Sequence, residues 1–224
     1  MNKGIIFDLD GTLIDSAPDL HAIANKVLNA HGHKPLTLET VASFIGNGIP
    51  KLVERCFDTA QCSLEGEDFD KAVAMFLEEY ARAPADHSML YPGVIEALQE
   101  LQDKGYKMGI CTNKTESLAN LIVKEMGLSD FFDVVVGGDR LPQKKPSPEP
   151  LMECAKEMGC APDEYVYVGD SEIDASTAKA AHAPFILFTE GYRKILASDL
   201  YHQALYCRFS HLKHLVPHVS SQDL

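Results

Sequence analysis

Near its amino terminus the chain reads Ile5-Ile6-Phe7-Asp8-Leu9-Asp10-Gly11-Thr12, three apolar residues running directly into two carboxylates, a glycine and a hydroxyl. A short apolar run of this kind is a buried strand. If the backbone stays extended past its end, Asp8 and Asp10 project to the same side, and Gly11 then supplies freedom for a turn. Taken alone, the pattern fits a strand-ending Asp-Gly turn as well as it fits a paired-carboxylate site. The ends of the other strands discriminate between the two.

Further strand-like runs are Lys107 to Cys111, Val134 to Val136, Tyr165 to Val168 and Phe185 to Phe188. Amphipathic helical patterns separate them. One follows Pro92-Gly93 with Val94, Leu98 and Leu101; another carries Leu118, Leu121, Ile122 and Met126 and stops at Gly127; a third runs from about Pro148 to Met158 and stops at Gly159. The alternation predicts an α/β fold, a Rossmann-like parallel sheet covered by helices. The interval from Ser16 to His87 breaks it. Leu20, Ile23, Ala24, Val27 and Leu28 keep helical spacing, as do Ile49, Leu52, Val53, Cys56 and Phe57, then Phe69, Val73, Phe76, Leu77 and Tyr80. The expected organisation is therefore a core domain of residues 1–15 and 88–224 with an all-helical second domain of residues 16–87 inserted in it. The tail Ser220 to Leu224 is expected to fray.

The 224 residues carry 20 Lys and Arg against 33 Asp and Glu, a net charge of −13. No basic stripe is present to meet a phosphate backbone, so no nucleic-acid partner is expected. The same balance argues against an anionic membrane surface, and no apolar run approaches the roughly 18–20 residues of a membrane span. Met1-Asn2-Lys3-Gly4 leads straight into the first strand without signal-peptide architecture, so the expected location is cytoplasmic. The six cysteines form no Cys-x-x-Cys pair and read as reduced, mostly buried thiols. The histidines show no metal-ligand spacing.

In an open parallel sheet, ligands bind beyond the carboxyl ends of the strands. Those ends carry Asp8 and Asp10, then Thr112-Asn113-Lys114, then Lys144-Lys145-Pro146 some way past Val136, then Gly169-Asp170-Ser171-Glu172-Ile173-Asp174. Singly, Thr112 fits a turn hydroxyl, Lys145 a solvated lysine and Gly-Asp-Ser a helix N-cap. Together they make a charged cluster that is costly to assemble unless a cation and an anion complete it. Carboxylates suit Mg2+; a hydroxyl, backbone amides and a lysine suit phosphate.

The ordered set of four resembles the motifs of the haloacid-dehalogenase-like phosphohydrolase superfamily, over nearly the whole chain, and the helical interval resembles that superfamily's cap. Finer details resemble its bacterial phosphoglycolate phosphatase branch: Ile14-Asp15-Ser16-Ala17-Pro18-Asp19-Leu20, Ile45-Gly46-Asn47-Gly48 with Leu52-Val53-Glu54-Arg55, and Gly137-Gly138-Asp139 leading to Pro142-Gln143-Lys144-Lys145-Pro146. Two stretches depart from the pattern: His182 stands where glycine is usual, and Tyr192 to Leu205 matches poorly.

The resemblance implies hydrolysis of a small phosphorylated metabolite, with 2-phosphoglycolate the expected substrate, through an aspartyl-phosphate on Asp8. Asp10 would act as general acid and then base. Mg2+ would be held by Asp8, Asp170 and the backbone carbonyl of Asp10. Thr112, the Asn113 backbone and Lys145 would bind the transferring oxygens, and Asp174 would orient a metal-bound water or Lys145. Lys145 is chosen over Lys144 on the family pattern and on the extended backbone favoured before Pro146. Asn47 and Gly48, at the start of the Ile49 to Phe57 helix, are the expected contacts for a substrate carboxylate, with Arg55 as a helper. The chain is expected to work as a monomer or homodimer. Two other readings share the architecture. A phosphosugar mutase of the β-phosphoglucomutase type usually shows His where Leu20 stands and Val where Thr12 stands. A non-catalytic phosphate-binding protein would typically lack the nucleophile.

Overall fold

The computed structural model describes residues 3–219. The tail from Ser220 to Leu224 lies outside the described residues. Strand β1 (Gly4–Phe7) is followed by β2 (Ile14–Asp15), then by the helices α1 (Ala17–Ala30), α2 (Leu38–Ala42), α3 (Ile49–Thr59) and α4 (Gly66–Arg82). The chain returns through β3 (Met89–Leu90), which pairs antiparallel with β2, so the helical block enters and leaves by a two-stranded link. Thereafter helices and strands alternate through α5 (Val94–Asp103), β4 (Lys107–Cys111), α6 (Glu116–Glu125), β5 (Val134–Val136), α7 (Glu149–Glu157), β6 (Tyr165–Gly169), α8 (Glu172–Ala180) and β7 (Phe185–Phe188); β8 (Ala204–Tyr206) follows without an α-helix between, and then α9 (Leu212–Leu215).

The main sheet is parallel throughout, in the order β5-β4-β1-β6-β7-β8. Its strands are apolar runs because both faces are covered. Ile5 and Phe7 of β1 join one apolar cluster with Leu98, Ile122 and Phe209, while Ile6 joins another with Leu151, Cys154 and Ala178. The first cluster continues without a break into the helical block through Leu20, Leu52 and Phe76. Strand order reverses at β1, which sits between β4 and β6; this is the switch point at which an open parallel sheet leaves a crevice beyond its strand ends.

The five expected strands are present, each within one residue of its expected bounds at either end. The structure adds β8, the two-residue β2 and β3, and the five-residue α2, whose N-cap Thr37 accepts a hydrogen bond from the Thr40 amide. In α4 the most buried line is Ala72, Phe76 and Tyr80, with Phe69, Val73 and Leu77 only half-buried beside it. All six cysteines are unpaired; four are buried and Cys207 is exposed. Among the described residues no helix is long and apolar enough to cross a membrane.

His182, the departure noted in the sequence, follows α8 at φ 52°. Its amide bonds the Lys179 carbonyl and the Ala183 amide reaches back to Ala178, the paired bonds of a left-handed helix stop. A side chain in this region costs energy that glycine avoids, while glycine adds entropy to the unfolded chain. His182→Gly is therefore expected to raise stability by about 0.5–1 kcal/mol in urea denaturation, without changing catalysis. A loss of stability would show that the His182 ring, not the backbone, matters there.

Candidate active site

Asp8 follows β1 directly, its amide continuing the ladder to the Val168 carbonyl at 2.8 Å. Asp170 follows β6. Gly11, at φ +87°, carries its backbone so close that a Cβ there would stand 2.6 Å from Asp170 Oδ2, and a Cβ on Gly191 would stand 2.3 Å from the same oxygen. Only glycine lets both loops close on this carboxylate. Asp170 Oδ1 accepts from Thr12 Oγ1 at 2.8 Å and Oδ2 from the Tyr192 amide at 2.7 Å. Asp174 lies in the first turn of α8, where Ser171 and Asp174 form a reciprocal capping box.

Asp8, Asp170 and Asp174 are buried, with oxygens within 4.8 Å of one another. The ammonium that meets them is Lys145, only 2% exposed. Lys145 Nζ donates to Asp174 Oδ1 at 2.7 Å and to the Tyr167 hydroxyl at 2.8 Å. It also stands 2.8 Å from Asp8 Oδ1, yet that oxygen receives no aligned hydrogen bond. Burial, and then the Asp174 charge, push Asp8 up to about 7 despite Lys145. Burial and the charges of Asp174 and Asp8 likewise push Asp170 well up. For Asp174 burial acts the same way, but Lys145 and the hydrogen bonds from Ser171 and Tyr167 prevail and hold it low. Burial opposes the Lys145 charge, and Asp174 and Asp8 more than offset it.

Asp174 accepts two hydrogen bonds on each oxygen, Oδ1 from Lys145 and Tyr167, Oδ2 from the Ser171 amide and hydroxyl, whereas each Asp170 oxygen accepts one. Asp8, with an unsatisfied buried oxygen, and Asp170 are the groups with capacity to spare. An all-oxygen donor set carrying uncompensated negative charge fits a hard divalent cation. The Asp10 side chain stands apart from this cluster. Its Oδ1 accepts from Ser16 Oγ and Lys114 Nζ, each at 2.6 Å. Burial disfavours the Lys114 charge, and Asp10 outweighs it, so Lys114 stays protonated.

Asp8, Asp10, Thr112, Asn113 and Lys114 line a narrow pocket of about 30 Å3 together with Leu20, Ile45, Gly46, Gly48, Ile49 and Leu52 of the helical block. Asn113 Nδ2 donates to the carbonyls of Gly46 (2.8 Å) and Lys145 (3.0 Å), fastening the loop before α3 to the sheet. The Thr112 hydroxyl accepts from the Lys114 amide. Asn47 is not among the lining residues; its carbonyl accepts from Lys144 instead. Lys144 is exposed and bridges to the loop before α3. Arg55 donates to the Phe44 carbonyl and so braces that loop. Lys114, Tyr80, Gly191 and Tyr192 were not anticipated. Of these only Lys114 belongs to a strand-end motif, Thr112-Asn113-Lys114.

A family model described as haloacid dehalogenase-like hydrolase matches residues 5–188. A phosphoglycolate phosphatase of Rhodobacter capsulatus is 44% identical over 216 residues, covering 96% of this chain and 97% of its own. One of Cereibacter sphaeroides is 40% identical over 216 residues, covering 96% and 98%. The crystal structure of a protein described as a predicted phosphoglycolate phosphatase from Haemophilus somnus superposes with a TM-score of 0.90 at 30% identity, covering 96% and 97% of the two chains. The matched stretch runs from β1 through β7 and takes in every strand end that carries the cluster, and on that ground the chain belongs to the haloacid dehalogenase-like hydrolases.

Proposed function

We propose that this protein is a Mg2+-dependent phosphatase that hydrolyses 2-phosphoglycolate, or a phosphomonoester of similar size, to an alcohol and phosphate. The observation that carries the reading is Asp8 itself: a buried carboxylate at the sheet's switch point, with one oxygen free of hydrogen bonds and an ammonium 2.8 Å away. An Asp8 oxygen attacks phosphorus and the ester P–O bond breaks, leaving an aspartyl-phosphate. Asp10 gives its proton to the departing alkoxide, then takes one from the water that attacks the same phosphorus, and Asp8 is regenerated. Thr112, the backbone at Asn113 and Lys145 hold the non-bridging oxygens. Asp174 keeps Lys145 aimed at Asp8. The Asp8 and Asp170 side chains and the Asp10 backbone carbonyl would hold Mg2+, which when bound neutralises charge on the transferring group.

Substrate choice is assigned to the helical cap over residues 16–87. Helix α3 has no side-chain N-cap; Pro50 has no N–H and the Leu52 amide bonds the Gly48 carbonyl, so the Ile49 and Lys51 amides are the donors left for an anion beside Gly48. A carboxylate one carbon away from the ester oxygen suits that place. Leu20 lines the pocket and offers no group to move a proton, which supports hydrolysis over a mutase reaction. Net charge and the buried thiols support a cytoplasmic enzyme without nucleic-acid or membrane partners, working as a monomer or homodimer.

The assignment is tested by comparing 2-phosphoglycolate with p-nitrophenyl phosphate in wild type and Gly48→Ala. Gly48 has φ +84°, and a Cβ there would sit 3.2 Å from the Asn113 carbonyl oxygen, so alanine is expected to unseat the loop. kcat/KM for 2-phosphoglycolate is expected to fall by about 1–3 kcal/mol in transition-state terms, and that for p-nitrophenyl phosphate much less. Equal losses would make the loop a closure element rather than a carboxylate site.

Metal binding has a pH signature. Burial and the Asp174 charge push Asp8 from 3.8 up to about 7, so the folded state binds more protons than the unfolded one between those values. The stability this group contributes is present below about pH 4 and lost as pH rises through about 7. Mg2+ competes with that proton. Mg2+ is thus expected to raise the melting temperature more at pH 8 than at pH 5. An equal or larger shift at pH 5 would contradict it.

A further inference from the structure

Lys114 follows β4 on the strand-end loop and is 4% exposed, yet the phosphoryl and metal groups described above do not engage it. Its ammonium is shared between the sheet and the helical block. Nζ donates to Asp10 Oδ1 at 2.6 Å and to the Tyr80 hydroxyl at 2.9 Å, and it lies 4.7 Å from the centre of the Tyr80 ring. Tyr80 stands in the last turns of α4, fully buried and edge-on to Phe76. Asp10 Oδ1 also accepts from Ser16, just ahead of α1. Among the described residues, the side-chain hydrogen bonds to the Asp10 carboxylate fall on Oδ1, which leaves Oδ2 for reacting groups.

We infer that Lys114 is a positioning residue that orients Asp10 for proton transfer while Tyr80 is seated against it, so that the cap completes the acid–base group. A buried ammonium requires acceptors for its protons. With Tyr80 in place those are Asp10 and the Tyr80 hydroxyl, and the ring face adds attraction. With Tyr80 withdrawn, water takes its share of Lys114, and Asp10 loses the fixed geometry of a charge-assisted hydrogen bond. Proton transfer then becomes conditional on the cap being down, when the pocket excludes bulk water. This rests on Asp10 being the acid and base; what it adds is that a cap side chain, acting through Lys114, puts Asp10 in working position.

The test compares Lys114→Met, Tyr80→Phe, the double variant and Asp10→Asn in the full-length protein. The substrates are 2-phosphoglycolate, whose alkoxide needs a proton, and p-nitrophenyl phosphate, whose phenolate does not. Lys114→Met is expected to lower kcat for the alkyl ester by about 10- to 100-fold with little change in KM, and to cost the aryl ester less. Tyr80→Phe keeps the ring and removes the acceptor. It is expected to lower alkyl-ester kcat by about 3- to 10-fold, and to add nothing in the Lys114→Met background. Equal losses on both esters with raised KM, or additive losses in the double variant, would overturn the inference. If Lys114→Met fails to fold by thermal melting, Tyr80→Phe decides alone: an alkyl-selective loss supports the inference and unchanged kcat overturns it. Asp10→Asn separates the two levels. Loss of activity there with full activity in Lys114→Met rejects only the positioning role. Normal turnover of the alkyl ester by Asp10→Asn removes the acid–base reading, and the positioning role with it.

Discussion

Three carboxylates, Asp8, Asp170 and Asp174, share a buried space with one ammonium, Lys145. Charge of that sign and density is unfavourable in a protein interior unless geometry and ligands compensate it. The parallel sheet brings β1 and β6 side by side so that two of the carboxylates leave adjacent strands. The Ser171 capping box turns the third back toward Lys145. Gly11 and Gly191 let two loops pass within a Cβ's reach of Asp170. The compensation is deliberately incomplete: Asp174 and Lys145 satisfy one another, while Asp8 and Asp170 carry raised proton affinity. That residual deficit is what a cation and a phosphoryl group can relieve, and it turns a stability cost into an affinity for ligand.

The helical block completes this site without supplying any of its charged cluster. It shares one apolar core with a face of the sheet, so it is packed against the strand ends and not merely tethered by the β2–β3 link. Three polar contacts fasten the lip of the pocket: Asn113 to Gly46, Lys144 to Asn47, and Lys114 to Tyr80. Each pairs a residue from a strand-end loop with one from the helical block. The division of labour follows from chemistry. On the proposed reading, phosphate and metal are assigned to groups anchored at strand ends, where positions are rigid. The remainder of the pocket is lined mainly by apolar cap residues and by Gly48 at the start of α3.

Much of this was legible in the sequence because the sheet is buried on both faces. Such strands read as uninterrupted apolar runs, and Lys107–Cys111, Val134–Val136 and Phe185–Phe188 fall where those runs place them. The edge strand Ala204–Tyr206 carries exposed Leu205 and only three residues, too little pattern to register. Helix α2 has five residues, less than two turns, so no apolar period develops in it. Asp8, Asp10, Asp170 and Lys145 stood out because each lies at or beyond a strand end beside turn residues. Tyr80 gave no such signal: in a helical stripe it is indistinguishable from core, and its hydroxyl finds Lys114 34 residues away. Tyr192 and Gly191 fall in a stretch with no local motif, and their link to Asp170 exists only once β6 and β7 lie side by side. A loop's composition does not say which of its residues faces inward: Gly46 and Gly48 line the pocket and Asn47 does not.

The central claim is that Asp8 becomes covalently phosphorylated. Acid quenching during steady turnover of a phosphomonoester, followed by borohydride reduction and peptide mass mapping, tests it most directly, because reduction of an acyl-phosphate converts aspartate to homoserine at the modified position. The account predicts homoserine at position 8 alone, appearing only when substrate and Mg2+ are both present. Full turnover with position 8 unmodified, or with the mark on another carboxylate, would contradict it.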